Sequence, residues 1–217
     1  MKALLFKRLE SSVRAFQVTV RGLLKVHERF LTALNHGIVA VGEDEQDILY
    51  ESDKDDETAL VEALQRLPTA GKYKLSEFIK GGEMLKRDVA EDICSLKEIH
   101  AFVEPLGPKQ DDKLQTLLRW LEGKAAGGRV LRAKDSKILI FSQYEATARY
   151  LHENLKHMDA VRWIHGETKN RLGIMASFAP KANPHVKASG EPIRILIATD
   201  VFSEGLNLQD ANCVINY

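Results

Sequence analysis

The chain has 217 residues, 44% hydrophobic and 29% charged, with 31 basic side chains against 31 acidic ones and no formal net charge. That length holds one large or two small domains with a real core, and the neutral balance excludes a chain that attracts nucleic acid over its whole surface. No apolar run approaches the roughly 20 residues that span a bilayer. The start, Met1-Lys-Ala-Leu-Leu-Phe-Lys-Arg8, is too short in its apolar part for a secretion signal. Cys94 and Cys213 lack any metal-ligand or redox spacing. A cytoplasmic protein with two reduced thiols and no bound metal is expected, with no contact to a membrane.

Charge is unevenly spread. Lys2, Lys7, Arg8, Arg14, Arg21, Lys25 and Arg29 make the beginning basic, whereas residues 43 to 57 are almost wholly acidic. From residue 3 to 35, Phe6, Val13, Val20, His27 and Leu34 recur every seven positions, as do Leu9, Phe16, Leu23 and Phe30. This is the pattern of one long helix that buries a stripe against another helix, ending at Asn35-His36-Gly37. A shorter helix is expected from Asp55 to Leu67, closed by Pro68. A third runs from Gly82 to Val103 with Leu85, Val89, Ile93, Leu96, Ile99 and Val103 on one face. Residues 1–103 are therefore expected to form an all-helical region built on a long antiparallel pair.

Pro105-Leu-Gly-Pro108 breaks that pattern and marks the boundary to a second domain, 104–217. Asp111 or Asp112 caps a helix through Leu114, Leu117, Leu118 and Leu121. Lys137 to Tyr144 reads as a buried strand, Glu145 to His157 as a helix, Val161 to Ile164 as a strand and Lys169 to Phe178 as a helix. Ile193 to Ala198 and a run starting at Val214 are two further strands. Uninterrupted apolar runs alternating with helices give a parallel sheet covered on both faces. The last strand reaches the end of the chain, as expected for a piece of a longer protein.

Between the last two strands lies Thr199-Asp-Val-Phe-Ser-Glu-Gly205-Leu-Asn207-Leu-Gln-Asp210. The bland alternative for this stretch is a helix-capping turn that uses Thr199 and Asp200. With Ala198 before it and Ala211 after it, this stretch resembles motif V of superfamily-two helicases and translocases. Its Ser203–Ala211 wording resembles bacterial Snf-like (Swi/Snf-related) ATPases. Ile138-Leu-Ile-Phe-Ser-Gln-Tyr144 resembles motif IV of the same proteins, and Ile164-His-Gly-Glu-Thr168 the glycine-bearing segment that follows it. Asp112–Leu118 resembles the opening helix of their second RecA-like lobe, and Leu4–Ser12 the segment after their first lobe.

The resemblance implies an α/β fold: a partial RecA-like parallel sheet with flanking helices, cut before motif VI and preceded by the helical region. It implies that Gly205 and Asn207 face a nucleotide, and that Ser142, Gln143, Gly166, Thr168 and Thr199 contact nucleic acid. The residue types suit that work, since a translocase holds phosphodiester through short hydroxyl and amide donors. The implied partners are nucleic acid, DNA rather than RNA, and a first RecA-like lobe. The implied cofactors, ATP and Mg2+, belong to the intact parent protein. No phosphate loop of the form GxxxxGK[ST] occurs in the sequence, so no catalytic residue is assigned and this chain alone is expected to be inactive toward ATP. The competing expectation is a non-catalytic protein-interaction module on an α/β scaffold.

Overall fold

The computed structural model describes residues 2–40, 42, 44, 47–49, 57–66, 72–75, 82–125, 136–166, 168–199 and 207–217. In chain order they form α1 (Lys2–Ser11), α2 (Val13–Asn35), β1 (Ile38–Ala40), α3 (Glu57–Arg66), β2 (Lys72–Lys74) and α4 (Gly82–Val103). A 3-10 turn at Pro108–Gln110 leads into α5 (Asp112–Leu121), β3 (Ile138–Ser142) and α6 (Glu145–Leu155). Then come β4 (Val161–Ile164), α7 (Arg171–Phe178), β5 (Ile195–Thr199) and β6 (Cys213–Asn216). The fold is α/β, with a four-stranded parallel sheet and helices around it, consistent with a partial RecA-like fold. The chain divides into two units, Met1–Phe16 with Leu106–Tyr217, and Gln17–Pro105.

In the first unit the strand order is β4-β5-β3-β6, every pair parallel. Parallel neighbours need a long crossover, and α6 and α7 supply the first two. Successive side chains on a strand point to opposite faces, and the packing follows that period. Ile138, Ile140, Ile195 and Ile197, with Val161, Trp163, Cys213 and Ile215, pack with Leu114, Leu117 and Leu121 of α5 and with Ala148, Leu151 and Leu155 of α6. On the other face, Leu139, Leu196, Ala198 and Ile164 pack with Phe178, Ala179 and Ile193. Burial on both faces is why β3 and β5 are unbroken apolar runs. In β6 burial alternates, with Val214 57% exposed.

The second unit pairs α2 with α4. Gln17 donates through Nε2 to the Val103 carbonyl at 2.7 Å, Arg21 pairs with Glu104 at 2.5 Å, and Lys97 with Glu28 at 2.9 Å. The start of α2 meets the end of α4, Glu28 meets Lys97 and Leu34 packs with Val89 and Ile93, so the two helices run antiparallel. Their apolar contact joins Leu34 and Val39 to Val89 and Ile93, with Leu24, Phe30, Leu31 and Leu85 around them. The stripe read from the heptads is thus covered only in part: Val20 and Leu34 are fully buried, Phe16 is half-buried, and Phe6 and Leu9 are exposed.

Two features of this region differ from expectation. A two-stranded antiparallel ribbon, β1 with β2, pairs Ile38 with Lys74 and Ala40 with Lys72, so the region is not purely helical. Strands of three residues carry too little period to be seen in a sequence. The long first helix is also interrupted at Ser12, whose Oγ accepts from the Ala15 N–H at 3.0 Å and caps α2. Serine hydroxyls compete with helical backbone bonds in this way, and the apolar heptads run through the break and conceal it.

Candidate nucleic-acid interface

The carboxyl ends of β4, β5 and β3 lie side by side. In an open parallel sheet this end is where ligands bind, because the loops leaving it form a crevice. Ser142 and Thr199 are directly paired in register, and Ile164 pairs with Ala198, so His165 begins one step past the same row. Ser142 is 1% exposed, and its Oγ is buried without a hydrogen-bond partner among the described residues. Thr199 is buried as well, whereas Gln143 is exposed at the start of the turn into α6. The expected contacts Ser142, Gln143 and Thr199 therefore meet on one edge, as their places at the carboxyl ends of parallel strands imply.

The turn after β4 completes the row. Thr168 folds back on His165: its Oγ1 accepts from the His165 N–H at 2.8 Å, and its own N–H donates to the His165 carbonyl at 2.9 Å. Arg171, at the start of α7, donates from its guanidinium to the carbonyls of Gly166 and Thr168. The clamp fixes the turn, and sequence reading had not singled out this arginine. Gly166 has no positive φ, and a Cβ added there would meet nothing within 4 Å. Nothing in the described chain requires glycine at this place. Its use is to leave an open approach to the backbone.

Gly205 lies outside the described residues, as does the rest of 200–206. Asn207 stands apart from the row. Its side-chain amide donates to the Ala182 carbonyl at 2.9 Å, and its own carbonyl accepts from Asn183 Nδ2 at 2.8 Å. The Asp210 carboxylate accepts from the Lys181 and Ala182 N–H groups at 2.8 and 3.0 Å. The segment leading into β6 is thereby stapled to the loop after α7, with Leu208 and Ala211 packed on that face of the sheet.

Behind the row, α1 is held by polar contacts. Arg8 lies over the Tyr144 ring at 3.8 Å, a cation–π contact next to Gln143. Ser11 and Ser12 both reach the buried Thr147 hydroxyl at 2.8 Å, and Lys113 donates to the Glu10 and Ser11 carbonyls at the end of α1. Burial pushes the Lys113 ammonium below its ordinary value, with Asp111 and Glu10 opposing the shift. Of the two candidate caps for α5 the structure selects Asp111, whose Oδ1 accepts from the Leu114 N–H at 2.9 Å while Oδ2 accepts from the Tyr150 hydroxyl at 3.1 Å. Burial, then the neighbouring Asp111 carboxylate, raises both Tyr150 and Tyr217 well above the usual phenol range. The Tyr150 hydroxyl is engaged with Asp111, whereas the buried Tyr217 hydroxyl has no partner among the described residues.

Among the described residues no helix is long and apolar enough to cross a membrane, and no three His, Cys, Asp or Glu side chains converge as a metal site. Residues 112–217 match the family described as the helicase conserved C-terminal domain. The chain is also 27% identical over 143 residues to Dicer-like protein 1 of Aspergillus terreus (strain NIH 2624 / FGSC A1156). That likeness covers 61% of this chain and 9% of the relative, so it spans about a tenth of the relative's length. With the parallel sheet and its polar carboxyl edge, these matches support a superfamily-two helicase C-terminal lobe over residues 112–217.

Proposed function

We propose that this chain is part of an ATP-dependent nucleic-acid translocase or helicase and that its lobe grips the backbone of a strand at the carboxyl edge of the sheet. The observation that carries this reading is the row itself. Ser142 and Thr199 sit in register, Gln143 is exposed beside them, and Gly166 is exposed just past the end of β4. The exposed Gln143 amide and the backbone at Gly166 suit phosphate oxygens without reading base edges, with the Ser142 and Thr199 hydroxyls buried behind them. The wording of residues 203–211 favours the Snf-like branch, and with it DNA, in a cytoplasmic protein.

The nucleotide side of the reading is narrower. This chain carries no phosphate-loop lysine and no magnesium-holding hydroxyl after it, and the Asn207 amide is engaged with Ala182. The residues present do not make a complete ATP–Mg2+ site. Gly205 and Asn207 would supply one wall of a cleft whose other wall is a first RecA-like lobe. Hydrolysis requires a phosphate cradle, a metal and an arginine on the transferring phosphoryl group. Phosphate release by the isolated chain should therefore stay at background with or without nucleic acid.

Binding tests the proposal. Anisotropy of a labelled short oligonucleotide should show weak association at low salt, no tighter than about 10⁻⁴ M given the neutral charge, and it should fade as salt rises. Gln143→Ala should weaken it further. Association that is insensitive to salt and to Gln143 would contradict a backbone grip at this edge.

A further inference from the structure

A stack of aromatic rings stands on the outer strand of the sheet, next to the row just described. Trp163 lies on β4, which among the described residues pairs with β5 alone. Residues two apart on a strand share a face, and His165 stacks on the Trp163 indole with centroids 4.4 Å apart and planes 19° from parallel. His152 of α6 stacks on the same indole at 6.0 Å and 27°. Trp163 also packs against the core beneath α5 and α6, so the indole anchors the stack to the apolar interior.

His165 is the member that reaches the binding edge. Its backbone N–H and carbonyl are both held by Thr168. Its ring Nδ1 lies 3.9 Å from the Glu145 carboxylate, and 26% of the side chain remains open. The ring is therefore fixed before any ligand arrives, which lowers the entropy lost on stacking. Glu145 puts negative charge beside it, an unfavourable neighbour for a phosphate and a tolerable one for a neutral aromatic ring. Aromatic platforms of this kind accept any base, since every base has a π-face.

We propose that His165, backed by Trp163, is a stacking platform for an unpaired nucleobase, so that the strand gripped at this edge is single-stranded where it passes β4. The inference rests on the backbone grip proposed above, because a strand running past Gly166 and Thr168 brings its bases to His165. A paired base already has both faces covered by its neighbours in the duplex. Along the length of a strand, an unpaired base is the one that can turn a face to the imidazole, and hairpin-capped duplex ends keep the duplex control free of terminal stacking.

Trp163 supplies the readout. The chain has two tryptophans, and Trp120→Phe leaves Trp163 as the one indole fluorophore. Titration uses single strands of about ten nucleotides, DNA and RNA, a duplex of equal length, and an abasic strand with the same phosphates. The expected result is a change of Trp163 emission with base-bearing single strands of either kind, and weaker binding of the duplex and the abasic strand. His165→Ala should weaken the single strand about tenfold, and His165→Phe should restore it; thermal melting checks that both variants fold. Equal binding of abasic and base-bearing strands with unchanged Trp163 emission would overturn the platform and leave the backbone grip standing. No binding of any strand would remove the backbone grip and the platform together.

Discussion

The two ends of the parallel sheet are built on opposite principles. At the amino end most of the described polar groups are paired within the chain, with the buried Ser136 hydroxyl the exception. Lys137 donates its N–H to Asn212 Oδ1 at 2.7 Å and its ammonium to the Ile193 carbonyl at 2.5 Å, while its own carbonyl accepts from the N–H groups of Asn212 and Cys213. The Ala160 carbonyl accepts from the N–H groups of Arg194 and Ile195. At the carboxyl end the Ser142 hydroxyl is buried and unmet among the described residues, Gln143 is exposed, and Gly166 faces open space. Buried polar groups are normally paired, so each exception calls for a reason. The paired groups of the amino end hold the fold, and the exposed Gln143 and Gly166 of the carboxyl end are the ground of the proposed contact there.

The largest effect should come from the stability side. Phe178 is fully buried, with the Lys137 ammonium 5.7 Å from its ring centre. Phe178→Ala should lower unfolding free energy by about 3–5 kcal/mol, measured by chemical denaturation. A loss below about 1 kcal/mol would mean that this face of the sheet collapses around the gap and is not close-packed. Asn212→Ala removes an acceptor from the Lys137 backbone and should cost about 0.5–1.5 kcal/mol, with oligonucleotide affinity unchanged. A fall in affinity at constant stability would place ligand contact at the amino end and break the comparison.

At the other edge the expected pattern is inverted. Gln143→Ala should change stability by less than about 0.5 kcal/mol, as for exposed positions in general, while weakening the nucleic acid it meets. A stability loss as large as that of Asn212→Ala would show Gln143 to be a structural residue.

The smallest effect is one of pH. Burial first, then Arg162 and Lys156, depress His152 below its ordinary value of about 6.5, with Glu153 opposing them. An imidazole whose folded value is depressed gives stability that is present above the unfolded value and is lost as pH falls through the folded one. Melting temperature should therefore drop as pH falls below about 6.5, and His152→Phe should flatten part of that slope. An identical slope in the variant would show that other groups carry it.

The sheet was largely legible in the sequence. Ile138–Ser142 and Ile195–Thr199 are apolar on both faces because helices cover both, and such runs separated by amphipathic helices imply parallel pairing. The antiparallel pairing of α2 with α4 was legible in their apolar stripes, whereas individual contacts such as Gln17 to Val103 are not specified by a heptad pattern. The break at Ser12 escaped because one capping hydroxyl leaves the apolar period intact. The binding edge was legible in the places of its residues at the carboxyl ends of parallel strands, but its register was not. That Ser142 stands in register with Thr199 is a property of the strand order β4-β5-β3-β6, in which β5 inserts between earlier strands. The Arg171 clamp and the His165–Trp163 stack depend on side chains meeting across turns and strands, which local spacing does not encode.

Amide NMR during titration with a short oligonucleotide at low salt tests the central claim most directly, because both ends of the sheet are read in one experiment. Shifts concentrated on Ser142, Gln143, Gly166, Thr168 and Thr199, fading as salt rises, are the predicted result. Shifts confined to Lys137, Asn212 and Arg194, or to Lys7, Arg8 and Arg14 of the basic first helices, would contradict it, and no shift anywhere would leave the lobe as a scaffold for protein partners.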